Sequence, residues 1–253
     1  MTDKRVVLLA DIDDSLITAC RRAPAGGGRA VAVDNKGEVC GFLTPKQAMF
    51  FEWITSVAML VPTTARSSKA LRQVSLPFNG YAICSFGGLI LTPSGAPEPR
   101  WHEQMSREAA GHHESLEQLL DFVRREADQA RIDVRCSVVS DCGLDFYLSV
   151  KHNQKDGDEL TRIEELLMEV LPAGWQRHRN KNNLAALPPY LDKAQAARWF
   201  VENIAAPGSL VIGLGDSLSD LPFMSLCDFA LMPSASQIFS LLTKEPGHEA
   251  FSR

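Results

Sequence analysis

Apolar residues recur along this chain in two alternating periods. Val6-Val7-Leu8-Leu9-Ala10 is an unbroken apolar run, the pattern of a strand buried on both faces in a parallel sheet. Residues 30–33 and 38–42 flank Asp34-Asn35-Lys36-Gly37 and read as a hairpin with a four-residue turn. Thr44-Pro45 is a helix start, with Thr as N-cap and Pro at the first helical position. Met49, Trp53 and Val57, with Phe50 and Ile54 alongside, keep helical spacing behind it. Residues 58–61 predict a second short apolar strand ending in Pro62-Thr63-Thr64-Ala65-Arg66. Residues 81–84 predict a third, closed by Phe86-Gly87-Gly88.

The pattern then changes. Thr92-Pro93-Ser94-Gly95-Ala96-Pro97-Glu98-Pro99 is a turn-rich linker and a domain boundary. Leu116, Leu119, Leu120, Val123 and Ala127 mark an amphipathic helix, and Leu160, Ile163, Leu167 and Val170 mark another. After the first come paired strands at 134–139 and 146–150, around the turn Asp141-Cys142-Gly143. After the second come strands at 175–179 and 184–187, and Pro188-Pro189 closes the series. Helix–strand–strand, repeated, predicts an α+β module whose helices cover one face of an antiparallel sheet. A helix over 192–204, a strand over 210–214, a short helix and a strand over 229–232 then restore the α/β pattern. The expected fold is therefore α/β, a Rossmann-like parallel sheet core of residues 1–91 and 189–253. Residues 92–188 form an inserted α+β domain.

Bulk properties narrow the function. The chain's 253 residues suffice for a large core and one extra module. A net charge of -5 offers no general basic field, which argues against a nucleic-acid partner. Only five apolar residues precede Asp11, too few for a signal-peptide core, and no later run reaches the length of a membrane span. Six scattered cysteines without a Cys-x-x-Cys pair read as thiols. The expectation is a soluble cytoplasmic protein, monomeric or homodimeric.

Chemistry concentrates at strand ends. Asp11, Asp13 and Asp14 crowd the C-terminal tip of the first strand, where open α/β sheets place their ligand crevice. Like charges that close resist joint ionisation unless a cation sits among them. A charged loop capping a core strand is the plainer alternative. Thr64 stands at the second strand's end, Asp216 and Asp220 at that of the later strand, and Lys193 at a helix start.

With these residues in this order, the chain resembles the haloacid dehalogenase superfamily of phosphohydrolases. Asp11-Ile12-Asp13-Asp14-Ser15-Leu16 matches the first motif, Thr64-Ala65-Arg66 the second, Lys193 the third, and Gly215-Asp216 with Asp220 the fourth. The resemblance implies Asp11 as the nucleophile that forms an aspartyl-phosphate, and Asp13 as the acid and base that serves the leaving oxygen and then water. Thr64 and Lys193 complete the catalytic set by holding the transferring oxygens. Mg2+ is the implied cofactor, held by Asp11, Asp13 through its backbone carbonyl, Asp216 and Asp220. Asp14 stands where Gly is common, so its side chain is expected to point away from the phosphate. Ser219 replaces a frequent Asn, and Phe86-Gly87-Gly88 an Asn-Gly.

The inserted domain resembles the large cap of the branch that includes sucrose-phosphate phosphatase, mannosyl-phosphoglycerate phosphatase, phosphomannomutase and the Cof-like enzymes. It implies a small phosphorylated metabolite as substrate, a sugar or sugar-acid phosphate. Arg66 of the second motif, and Arg177, Arg179, Lys181, Asn182 and Asn183 of the cap, are the candidate substrate-binding residues. The cap residues read equally as a solvated edge strand guarded by charge. A phosphosugar mutase and a catalytically silent sugar-phosphate-binding protein are the competing functions.

Overall fold

The computed structural model describes residues 5–22, 28–78, 80–153, 159–180 and 182–243. Its first strand is β1 (Val6–Ala10), and four of its five residues are buried. β2 (Thr18–Ala19), β3 (Arg29–Val33) and β4 (Val39–Leu43) follow and form a three-stranded sheet in the order β2-β4-β3. The expected hairpin is the β3–β4 part of it, with Asp34 folding the turn by accepting from the Lys36 and Glu38 amides. α1 (Pro45–Val57) starts in a full capping box. Thr44 accepts from the Gln47 amide, and the Gln47 side chain accepts from that of Thr44. Its buried face is Phe51 and Ile54, whereas Met49, Trp53 and Val57 lie exposed. Apolar residues occupy most sides of this helix, so periodicity identifies it without choosing its inner face.

β5 (Met59–Pro62), α2 (Ser68–Arg72), β6 (Ala82–Cys84) and β7 (Leu89–Leu91) complete the first passage through this unit. Between β6 and β7 the backbone turns left-handed at Ser85 (φ 51°), Phe86 (φ 56°) and Gly87 (φ 95°). Chain contacts divide the protein into two compact units, Met1–Glu98 with Asp192–Arg253, and Pro99–Leu191.

The second unit opens with α3 (Pro99–Ala130), a single 32-residue helix that starts well before the apolar stripe read from the sequence. β8 (Val134–Asp141), β9 (Leu144–His152), α4 (Leu160–Val170), β10 (Gln176–Asn180) and β11 (Asn183–Leu187) follow. The strands form an antiparallel sheet in the order β10-β11-β9-β8. Leu116, Leu120 and Val123 of α3 and Ile163 and Leu167 of α4 share one core with Leu148 and Val150 of β9 and Leu184 of β11. That is the α+β arrangement, both helices feeding one core on one side of a sheet.

The chain then returns to the first unit through α5 (Lys193–Asn203), β12 (Leu210–Leu214), α6 (Leu221–Met224), β13 (Phe229–Leu231) and α7 (Gln237–Leu242). β1 pairs in parallel with both β5 and β12, and β12 with β13, giving the sheet order β13-β12-β1-β5. Entering β1 between two parallel neighbours explains its unbroken apolar run. Among the described residues, no helix is long and apolar enough to cross a membrane.

Candidate active site

The carboxyl ends of β1, β5 and β12 are tied together by the backbone. Asp11 N–H donates to the Leu214 carbonyl at 2.8 Å, and Thr63 N–H donates to that of Ala10 at 2.7 Å. Asp11, just past β1, therefore lies beside the loop after β12 that carries Asp216 and Asp220. Carboxylate oxygens of these three buried acids all fall within 4.8 Å of one another.

Lys193 joins this group from the first position of α5. Its buried Nζ donates to Asp11 Oδ1 at 2.8 Å and to Asp220 Oδ1 at 2.9 Å. An ammonium at a helix N-terminus meets an unfavourable dipole, which here is offset by two carboxylates. Two glycines make the approach feasible. A Cβ on Gly87 would lie 2.4 Å from the Asp192 carbonyl oxygen, so this left-handed glycine lets α5 start where it does. A Cβ on Gly215 would lie 2.5 Å from the Asp220 Cβ. Asp220 is also fixed by the loop it terminates: its Oδ2 accepts from Ser217 N–H at 3.1 Å and Ser217 Oγ–H at 2.8 Å. Ser217 orients it, with Ser219 Oγ 2.8 Å from Ser217 Oγ behind it, and sequence offered only polar loop positions as a signal.

Electrostatics separates the three acids. Burial pushes the Asp11 carboxyl up to about 7 against the pull of Lys193, and the Asp220 and Asp13 charges add to the rise. Asp216 is pushed up to about 6, first by burial and then by Asp220 and Asp14. Burial acts on Asp220 too, but Lys193 and the Ser217 hydrogen bonds outweigh it and hold Asp220 below the usual carboxylate range. Burial alone would lower Lys193, yet Asp11 and Asp220 outweigh it and keep the ammonium charged.

This donor set fits a hard divalent cation such as Mg2+. It is all oxygen, and Asp11 and Asp216 are raised by burial and, after it, by the neighbouring acids, both of which a cation would offset. Close by in the same loop as Asp13, Ser15 Oγ is buried without a hydrogen-bond partner.

The other expected residues divide. Thr64 is buried, one residue past Thr63, and its Oγ1 accepts from Arg66 N–H at 3.1 Å. The Asp13 carboxylate is held by Arg66, whose Nε and Nη2 each donate at 2.7 Å to a different oxygen. Asp14 takes a left-handed backbone (φ 64°) where the family resemblance expects Gly. Its Oδ1 accepts from Ala19 N–H at 3.0 Å, while Arg22 reaches Asp14 at 3.6 Å and Asp216 at 3.9 Å. Arg22 thus lies between Asp14, beside the end of β1, and Asp216, in the loop after β12.

In the second unit the candidate residues pair locally. Arg177 and Arg179 of β10 both bond Glu164 of α4, Arg179 at 2.9 Å. Asn182 Nδ2 donates to the His152 carbonyl at 3.2 Å, and Asn183 Nδ2 to Asn182 Oδ1 at 3.2 Å. Lys181 lies outside the described residues.

Neither a family model nor a curated protein matches this chain. Solved structures do. Sucrose-phosphatase from Synechocystis sp. PCC6803, solved with sucrose and phosphate, aligns over 97% of this chain and 90% of its own at 16% identity and a TM-score of 0.54. The C-terminal domain of trehalose-6-phosphate phosphatase from C. albicans aligns over 88% of this chain and 73% of its own, at 14% identity and a TM-score of 0.57. A trehalose-6-phosphate phosphatase related protein aligns over 89% and 84%, at 14% identity and a TM-score of 0.53. The chain thus shares its fold with these solved structures.

Proposed function

We propose that this protein is a Mg2+-dependent phosphomonoesterase acting on a small sugar or sugar-acid phosphate. The observation that carries the reading is the buried cluster of Asp11, Asp216 and Asp220 around the Lys193 ammonium, at the carboxyl ends of parallel strands. That two of the neighbouring folds belong to phosphatases named for sucrose and trehalose 6-phosphate supports the substrate class.

In this reading an Asp11 carboxylate oxygen attacks phosphorus, and the ester P–O bond breaks as Asp13 gives its proton to the leaving oxygen. A water then attacks the aspartyl-phosphate while Asp13 takes its proton; the anhydride P–O bond breaks and phosphate leaves. Lys193 and Thr64 steady the transferring oxygens as charge spreads over them. Asp11, Asp216, Asp220 and the Asp13 backbone carbonyl would hold Mg2+, which lessens the repulsion between the anionic nucleophile and the anionic phosphate. Asp13 must release at least one of its two bonds to Arg66 to reach the leaving oxygen.

The test is phosphate release from a panel of sugar and sugar-acid phosphates with Mg2+ or with EDTA, run beside Asp11→Asn. Release should require Mg2+ and fall at least about 10³-fold in the variant, with its circular dichroism unchanged. Full release by a folded Asp11→Asn protein would overturn the assigned nucleophile.

A further inference from the structure

The cations around the acid cluster differ in what their donors do. Lys193 Nζ donates to Asp11 and Asp220 at 2.8 and 2.9 Å, and Arg66 gives Nε and Nη2 to Asp13 at 2.7 Å. Arg22 is held otherwise. Its Nη1 lies 3.6 Å from Asp14 Oδ2 and 3.9 Å from Asp216 Oδ2, both beyond hydrogen-bond length. Among the described residues its side chain makes no hydrogen bond. A guanidinium has five N–H donors in a fixed fork. Here charge holds the group and the fork is left unfilled.

Service as the counter-ion of Asp14 does not account for this arrangement. The Asp14 side chain is 2% exposed and that of Arg22 46%. A buried carboxylate that depended on an arginine would gain most from direct, two-pronged bonds, such as Asp13 receives from Arg66. Asp14 instead uses Oδ1 to accept from the Ala19 amide at 3.0 Å. Ile17 N–H donates to the Ile12 carbonyl at 3.0 Å, and Ala19 pairs opposite Gly41. These bonds pin the loop that leads into a 3-10 turn over Cys20–Arg22. The loop thereby keeps an open guanidinium at one edge of the acid cluster.

Oxygens of Asp11, Asp216 and Asp220 lie within 4.8 Å of one another, so the guanidinium beside Asp216 borders the place where Asp11 would meet phosphorus. A phosphate monoester brings about two negative charges into surroundings already rich in carboxylates. A planar, weakly hydrated cation with unfilled donors suits such a group. We infer that Arg22 is a substrate-binding residue that gives its N–H donors to the phosphoryl oxygens, with Asp14 keeping it in reach. Its contacts hold the phosphate equally before and during transfer, so Arg22 serves binding and leaves the chemical step to other groups. The identity of the substrate rests on the phosphatase reading, whereas contact with a phosphate does not.

The experiment measures binding of inorganic phosphate to the full chain in Mg2+ by titration calorimetry, for the wild type, Arg22→Gln and Arg22→Lys. Release of phosphate from the sugar phosphates is followed beside it, and circular dichroism checks each fold. Arg22→Gln should bind phosphate at least about tenfold more weakly, the loss expected of hydrogen bonds to a charged group. Arg22→Lys should fall in between, since lysine keeps the charge without the fork. KM should rise by a similar factor while kcat stays within about threefold of the wild type. Equal phosphate affinity in the wild type and Arg22→Gln overturns the contact, and a lowered melting temperature in that case would leave Arg22 as a counter-ion of Asp14. A fall in kcat with KM and phosphate affinity unchanged overturns it too, as does a wild type that binds no phosphate. Should phosphate affinity fall in Arg22→Gln while the wild type releases phosphate from no ester, the contact stands and the phosphatase reading fails. Release by the wild type with phosphate affinity unmoved in Arg22→Gln has the reverse meaning.

Discussion

Lys193 shows how one side chain can set the state of a whole site. Its ammonium is buried between Asp11 and Asp220, so removing it leaves two carboxylates without their cation. Lys193→Met should cost about 3–5 kcal/mol in urea unfolding of the metal-free protein, the penalty for breaking a buried charge pair. Arg66 sets a second test. Its two shortest hydrogen bonds go to Asp13 and a longer one, 3.5 Å, to the Ala70 carbonyl, so in the proposed enzyme it is a positioning residue before it is a contact for substrate. Arg66→Lys keeps the charge but loses the two-pronged fork. It should lower kcat about tenfold with little change in KM, because a misaligned acid and base slows the chemical step and leaves binding alone. A raised KM at constant kcat would make Arg66 a substrate contact instead. The pairing with Asp13 was not legible in the sequence. The two residues lie 53 positions apart, and a motif gives residue types without giving partners.

Elements place these side chains, and the glycines show how tightly. Gly87 lets the start of α5 pass under the β6–β7 turn, and a methyl group there would press on the Asp192 carbonyl. Gly87→Ala should destabilise the protein by about 1–3 kcal/mol, because alanine must also adopt the left-handed φ. Thermal unfolding measures it, and an unchanged midpoint would show that α5 can start elsewhere at no cost. Gly215→Ala would press a methyl on Asp220, and in the proposed enzyme should weaken Mg2+ binding about tenfold or more by displacing that carboxylate, read by titration calorimetry. β1, β12 and α5 were visible in the sequence because their apolar periods coincide with their burial. α1 was visible as a helix, but its inner face was not: the exposed Met49, Trp53 and Val57 have the same spacing as a core stripe. β2 escaped notice because two residues are too few to show a period. The length of α3 escaped for another reason: its first four turns carry mostly polar residues, with only Trp101, Met105 and Ala109 turned inward.

At the scale of the molecule, the same acids that would make the site reactive make folding depend on pH, and in the proposed enzyme would make it depend on Mg2+ as well. An unfolded aspartate titrates near about 4, whereas folded Asp11 and Asp216 are pushed up to about 7 and about 6. Between these values the folded protein holds protons that the unfolded chain has released, so the stability of the metal-free protein falls as pH rises through that window. Asp220 works in the opposite sense. Held below the ordinary range, it adds stability that is present above the unfolded value and is lost as pH falls through its own lower one. The metal-free protein should therefore melt at a higher temperature near pH 5.5 than near pH 7.5. Mg2+ held by these acids would require them ionised, so it would bind better at the higher pH, and binding only to the folded state would raise stability. Its effect on the melting temperature should be several-fold larger at pH 7.5 than at pH 5.5, and it should be lost in Asp216→Asn. Differential scanning calorimetry at the two pH values, with EDTA or with Mg2+, distinguishes the outcomes. An equal Mg2+ shift at both would mean that the cation does not bind through Asp11 and Asp216, and the metal site would have to be sought elsewhere.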